Sequence, residues 1–315
     1  MYYLLTNDVE MTSIQRNRLD YKMGELVAEY ALPRLLDIYE RHGIRTTFYF
    51  TGVFVEHFPQ SVVKVKESGH EVGCHGYSHE VERGLDTLSY EEQLHDIAKA
   101  KRIIEKYAGQ IKAFRSPALR IGAHTARVLD HLGFETDSSI ASQRFDGPLS
   151  FGSAKKMRWL VANRTPYFVD GDDLYRVGDS NLLEIPISAF ILAHVGTLMR
   201  ISPEVDAFLR DTLFLESRLT KKPLVFMIHP NECVVEDGRF KAHRRAKNMV
   251  SYLFADVVRG FLKQRNIGQK ASLLLEREIV DAKKKGFEFL TCDDYRRIFE
   301  REHRNPILSG NQLWH

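Results

Sequence analysis

The chain alternates between short apolar runs and longer segments with a helical period, and this alternation limits the fold more than any other feature. "YYLLTN", "RTTFYFTG", "HEVGCH", "IKAFRS", "FETDSS", "LLEIPIS" and "PLVFMIH" read as strands rich in aliphatic, β-branched and aromatic residues. Between the early ones lie helical segments. "MGELVAEYALPRLLDIYERHG" places Leu26, Tyr30, Leu35, Leu36, Ile38 and Tyr39 mostly on one stripe and stops at Gly43. "PQSVVKVKESG" starts on proline and ends on glycine, and "SYEEQLHDIAKAKRIIEKYAG" opens with Ser89 as a cap and acids in its first turn. Strand–helix order with nearly continuous apolar strands implies parallel pairing with both sheet faces covered. About eight such strands favour a (β/α) barrel over an open sheet. From about Ala141 to Asn181 the rhythm breaks, which reads as an insertion or long loop region near one mouth of the barrel.

Composition removes several classes. Of the 315 residues, 43% are hydrophobic and 28% charged, the balance of a chain that can bury a core. A formal net charge of +3 argues against a dedicated nucleic-acid binder, and runs such as "RFKAHRRAK" and "DAKKKG" read as solvated helix faces. Cys74, Cys233 and Cys292 are widely separated and form no C-x-x-C pair, which excludes a cysteine-built zinc or disulfide framework and fits a reducing compartment. No run approaches the roughly 18 apolar residues of a membrane span. The start "MYYLLTNDVE" lacks the basic head and apolar stretch of a signal peptide. The expectation is a cytoplasmic protein without a membrane span.

In a parallel barrel, residues at the carboxyl ends of the strands face one common mouth. Asp8 and Glu10 follow the first strand, His75 and His79 the third, Arg115 follows "IKAF", Asp137 follows "FE", and His229 ends "PLVFMI". Each has an ordinary structural explanation: a helix cap, a surface contact, a satisfied core histidine. The set is more specific than its members. Imidazoles and a carboxylate suit a divalent metal with positions left open for water, and hydrolysis then needs a base and an acid nearby.

"TNDVE", "HGYSH", "FRSPALR", "DSSI" and "FMIHP", in this order, resemble the five motifs of the polysaccharide deacetylase family, the NodB-like carbohydrate esterases. The resemblance covers roughly residues 1 to 140 and again about 182 to 300. It implies a single deformed (β/α) barrel domain over 1–315, with about seven or eight parallel strands. It further implies metal-dependent hydrolysis of an amide, typically an N-acetyl group on an amino sugar. By the family's pattern Asp8 is the base, held by Arg115. His75 and His79 are metal ligands, and His229 is the acid, kept protonated by Asp137. The cofactor expected is one divalent transition metal, zinc first, with iron, cobalt and nickel also suited to the ligand set.

Two positions depart from the commonest pattern. The family's usual adjacent aspartates are replaced by Asp8 and Glu10 with Val9 between them, as in some branches, which assigns Glu10 to the metal; the alternative has Asp8 on the metal and Glu10 as a cap. Ala118 stands after Pro117 where an aromatic residue is usual, leaving Arg120 and the middle segment as candidate specificity elements. Without an export signal, a nucleotide-linked, lipid-linked or free amino sugar is the expected substrate rather than a cell-wall polymer. Two other readings remain: hydrolysis of a small non-sugar amide of formyl or ureide type, and an inactive barrel used for binding.

Overall fold

The structure is a computed structural model that describes residues 1–80, 83–144, 154–236, 249 and 257–303. The basic run "RFKAHRRAK" and part of the 141–181 segment lie outside the described residues. The strands are β1 (Tyr2–Val9), β2 (Thr47–Phe50), β3 (Glu71–Cys74), β4 (Ala113–Phe114), β5 (Thr136–Asp137), β6 (Tyr167–Asp170), β7 (Asp173–Val177), β8 (Leu183–Glu184), β9 (Ala189–Phe190), β10 (Leu192–Ala193), β11 (Leu224–Ile228) and β12 (Glu288–Phe289). Among the described residues, a parallel path runs β11-β1-β2-β3-β4-β5-β8, and β12 adds in parallel beside β1. The sheet curls into an incompletely closed barrel, as the strand–helix alternation predicts. Across the gap between β8 and β11, Ser188 N–H donates to the Val225 carbonyl (3.1 Å) and Val225 N–H donates to Ser188 Oγ (2.9 Å). β1 is buried along almost its whole length, because helices cover it outside and strand-end side chains fill the inside.

The broken rhythm after residue 141 hides an antiparallel hairpin. β6 and β7 pair with each other, and β6 runs antiparallel to β8, so the sheet grows past its parallel part. In sequence its strands are too short and too mixed to separate from loop. β9 and β10 form a separate two-stranded hairpin.

The helix expected after β1 is continuous but not uniform. α1 (Tyr21–Leu26) passes through a π turn (Val27–Ala31) into α2 (Leu32–Arg41), with Pro33 in the first turn of α2. The wider turn rotates the buried face. Leu35, Ile38 and Tyr39 pack inward as the stripe predicts, whereas Tyr30 faces out at 57% exposed. α3 (Pro59–Glu67) and α4 (Tyr90–Ala108) match their sequence signals. In α4, Ser89 Oγ accepts from Glu92 N–H while Glu92 reaches back to the Ser89 amide, a reciprocal cap that satisfies two free N–H groups. α5 (Pro203–Thr220), α6 (Gln269–Lys284) and α7 (Cys292–His303) close the outer layer. No described helix is long and apolar enough to cross a membrane.

A buried ionic cluster joins α5 and α6 to the barrel. His194 is fully buried, with Nδ1 3.1 Å from Asp206 Oδ1 on α5 and Nε2 3.2 Å from Glu278 Oε1 on α6. Tyr3 on β1 donates its hydroxyl to Glu278 (2.8 Å), and Arg210 completes that carboxylate's partners at 3.0 Å. Burial alone would push the imidazole down, but Asp206 and Glu278 reverse this and bring it to about 9. Because the folded value lies above the unfolded one, the contribution to stability is complete below the ordinary histidine value of 6.5 and is lost as pH rises through about 9. Thermal denaturation from pH 6 to 10 should show that alkaline loss. His194→Gln should lower stability by about 3 kcal/mol at neutral pH, since it leaves buried Asp206 without its cation and Glu278 with Arg210 and Tyr3 alone, and should flatten the loss. An unchanged alkaline slope in the variant contradicts this account.

Candidate functional site

Strand register brings the site together. On β1 the side chains two apart share a side, so Asp8 and Glu10 both face the mouth. β11 lies beside β1 with Ile228 opposite Asn7, which brings His229 to the level of Asp8. On the other side, past β2, the ends of β3 and β4 supply His75 and Arg115. Asp8, Glu10, His75 and Arg115 are buried, while His79 and His229 are partly exposed, so one edge of the cluster opens to solvent.

Arg115 is the most heavily bonded side chain of the group. It is fully buried and donates from Nη1 to Asp8 Oδ1 (2.8 Å) and Thr6 Oγ1 (2.8 Å), from Nε to the Ser138 carbonyl (2.8 Å), and from Nη2 to Ser138 Oγ (2.8 Å). Its guanidinium also lies over the Tyr49 ring, 4.5 Å from the centroid. Burial pushes the Asp8 carboxyl up, but Arg115, with His75 and His229, outweighs it and holds the group below the usual carboxylate range. Asp8 is a carboxylate with one oxygen committed to Arg115 and the other, Oδ2, 3.8 Å from His75 Nε2.

The backbone of Arg115 sets the tautomer of His75. His75 Nδ1 lies 2.9 Å from the Arg115 carbonyl, which can only accept, so Nδ1 carries the proton and Nε2 presents a lone pair. That Nε2 is buried and has no hydrogen-bond partner, and Glu10 Oε2 is in the same condition. Burial, opposed by Asp8, brings the His75 imidazole down to about 4, so it is neutral near pH 7. His79 Nε2 sits 3.5 Å from Glu10 Oε2. One donor atom from each of Glu10, His75 and His79 falls within 4.8 Å of the others. Buried lone pairs without partners are costly unless something occupies their common centre. Two imidazole nitrogens and a carboxylate oxygen fit a divalent transition metal. His79 Nε2 also accepts from the Ala118 amide at 3.0 Å, a bond that an ion held there would displace. The turn carrying both histidines needs Gly76, which has φ +65° and whose missing Cβ would lie 2.8 Å from Pro117 Cγ.

Asp137 is placed differently from expectation. β5 pairs with β8 so that Asp137 stands directly opposite Glu184, and both carboxyls are fully buried. Burial raises both groups; Asp137 raises Glu184 further, while the hydrogen bond from Glu184 partly offsets the rise of Asp137, so the pair retains a proton. Asp137 Oδ1 accepts from Ser139 Oγ (2.6 Å), and Glu184 Oε1 accepts from the Ile140 amide (3.1 Å). Asp137 makes no ion pair with His229 among the described residues. Two carboxylates feel the charge of His229: Asp8, and Glu232 three residues on in the turn Pro230–Cys233, whose amide donates to the His229 carbonyl (2.9 Å). Burial raises Glu232, and Arg200 and His229 bring it back below its usual range. Its Oε1 accepts from Thr197 Oγ1 (2.6 Å) and Arg200 Nη2 (3.0 Å), while its Oε2 is buried without a hydrogen bond. Arg120, a candidate for substrate contact, pairs with Asp86 at 2.7 Å and packs over Gly84, where a Cβ would come 2.1 Å from its Cζ.

Sequence reasoning left Glu184, Glu232 and the roles of Thr6, Ser138 and Ser139 unassigned. A signal existed for the two acids: "LLEIPIS" carries a lone carboxylate inside a buried strand, and "HPNEC" puts one a turn after His229.

Residues 24–136 match the sequence profile described as polysaccharide deacetylase. The chain is 28% identical over 162 residues to a peptidoglycan deacetylase of Helicobacter pylori, covering 51% of this chain and 46% of that protein. It is 32% identical over 125 residues to the peptidoglycan deacetylase-like protein FGM2 of Gibberella zeae, covering 39% and 36%. The chain thus spans about half or less of the length of these curated relatives. A solved structure from Mycobacterium smegmatis, provisionally named a polysaccharide deacetylase, superposes over 100% of this chain and 94% of that one. Its TM-score is 0.59 at 16% identity, a likeness of fold. Residues 24–136 thus match the polysaccharide deacetylase family, and the chain resembles that family in the order of its five motifs and in its fold.

Proposed function

We propose that this protein is a metal-dependent deacetylase that hydrolyses the N-acyl amide of an amino sugar. One observation carries the reading: the partnerless lone pairs of His75 and Glu10 converge with His79 beside a carboxylate that Arg115 keeps ionised. Glu10, His75 and His79 would hold a divalent metal, zinc being the best match to the donors. When bound, such an ion polarises the amide carbonyl and makes a water more acidic.

The chain's own groups supply the rest. Asp8 Oδ1 is fixed by Arg115, so Oδ2 is the atom that takes the proton from the attacking water. The water oxygen bonds to the acyl carbon, the carbon–nitrogen bond breaks, and His229 delivers a proton to the departing nitrogen. The products are a carboxylate and a free amine. Glu232, locked by Arg200 and Thr197 and bonded through its amide to the His229 carbonyl (2.9 Å), fixes the turn that carries His229. The Asp137–Glu184 pair, bonded through Ser139 to the Ser116 amide (2.9 Å), instead fixes the β4–β5 ends that carry Arg115.

Asp8 and Glu10 should fail differently when replaced. Asp8→Asn keeps the donors at 10, 75 and 79, so it should retain metal yet lose about 100- to 10,000-fold in turnover, the usual scale for a positioned base. Glu10→Ala should lose metal on gel filtration and regain part of its activity in excess metal. Measuring metal content and turnover side by side decides the matter. Metal lost from Asp8→Asn but kept in Glu10→Ala would reverse the two roles.

Substrate class is tested by product release. The metal-loaded protein should liberate acetate from N-acetylated amino sugars, whether free, nucleotide-linked or lipid-linked, faster than it opens formyl or ureide compounds. Turnover confined to the small amides would replace the amino-sugar reading while leaving the hydrolytic site in place.

A further inference from the structure

α5 has two apolar faces, although an ordinary covering helix has one. Leu209, Leu213 and Phe214 turn inward and are buried. On the outer face Val205, Phe208, Leu215 and Leu219 are 44%, 76%, 57% and 74% exposed, with half-buried Thr212 in the middle of the row. The spacing 205, 208, 212, 215, 219 alternates three and four residues, the pattern of a seam that packs against another helix. The neighbouring β9–β10 hairpin extends the apolar surface through Phe190, Ile191 and Leu192, all more than 40% exposed. Arg164 ties hairpin to helix, bonding the Ala189 carbonyl (2.5 Å) and Glu216 (2.7 Å). Ile191 sits at φ +62°, a left-handed conformation that β-branched residues avoid, so a bulky apolar side chain is held at the hairpin tip despite strain.

We propose that this face is a homodimer interface, in which α5 of one copy packs antiparallel to α5 of a second copy about a two-fold axis. The charges beside the seam select both the occupant and its direction. Glu204, Asp211 and Arg218 follow one another at seven-residue intervals along one flank, and Glu216 lies on the other. Parallel pairing would set Asp211 of one copy towards Glu216 of the other, a carboxylate that offers no cation and is already paired with Arg164 and Lys222 of its own chain. In antiparallel pairing Phe208 meets Leu219 and Thr212 meets Leu215 across the axis. Each Asp211 then comes beside the other copy's Arg218, which forms no ion pair within its own chain among the described residues. The seam is therefore complementary to itself, as a two-fold contact requires. Burying four exposed apolar side chains and a hairpin tip from each copy supplies the driving force.

Sedimentation velocity over a concentration series tests this on the full chain. The wild type should form a dimer in the micromolar range, and Phe208→Asp with Leu215→Asp should raise Kd about 100-fold or more while circular dichroism and thermal denaturation stay unchanged. Asp211→Arg alone and Arg218→Asp alone should each weaken the dimer by about 5-fold through two symmetric pairs, and the two together should restore it. A wild type that stays monomeric at about 100 µM overturns the proposal, including the case in which it binds lipid vesicles instead. A dimer that survives the double aspartate variant also overturns it. Failure of the charge swap to restore association overturns the antiparallel arrangement.

Discussion

The site depends on one buried ion pair. Arg115 and Asp8 are withdrawn from water almost completely, and removing two charges from solvent is unfavourable unless their remaining hydrogen-bonding capacity is met. Here it is met by groups from several strands. Thr6 and Asp8 come from β1, Ser138 follows β5, and Ser138 in turn donates to the Ile185 carbonyl just after β8. The Tyr49 ring from β2 covers the guanidinium face. A single arginine thus ties together most strand ends at the mouth of an incompletely closed barrel. Replacing it by an apolar residue would leave Asp8 charged, buried and alone, a change of the kind that costs about 3–5 kcal/mol.

The same residue orients the remaining donors. Its carbonyl accepts a hydrogen bond from the Nδ1–H of His75, so the Nε2 lone pair points into the cluster. Its side chain occupies Asp8 Oδ1, so Oδ2 is the atom left to accept a proton. Glu10, just past the end of β1, does not pair with the arginine, and its bare Oε2 faces His79. The spaced pair Asp8–Glu10 divides the work between two carboxylates according to which of them Arg115 reaches.

Much of this was legible because parallel connectivity turns sequence position into spatial position. Asp8, Glu10, His75, Arg115 and His229 each follow an apolar run, and strand order brings those ends to one mouth without any knowledge of side-chain contacts. What stayed hidden depends on register and on local irregularity. The partner of Asp137 is set by β5 pairing with β8 across the inserted β6–β7 hairpin, and no pattern in the chain announces that Glu184 will stand opposite. The outward turn of Tyr30 follows from a π turn that a regular 3.6-residue stripe does not anticipate. The His194 cluster draws on residues from β1, α5 and α6 spread over 275 positions, each an ordinary surface residue by type. In α5 the inner apolar row was enough to read a helix, and the outer row became visible only when burial separated the two faces.

The central claim is that Glu10, His75 and His79 present donor atoms to one ion. X-ray absorption spectroscopy on the zinc-loaded protein measures this directly, because imidazole rings give a distinctive multiple-scattering pattern that can be counted. The account predicts two imidazoles and further oxygen donors with no sulfur, falling to one imidazole in His79→Gln. A zinc environment containing sulfur, or an imidazole count unchanged by that substitution, would contradict it.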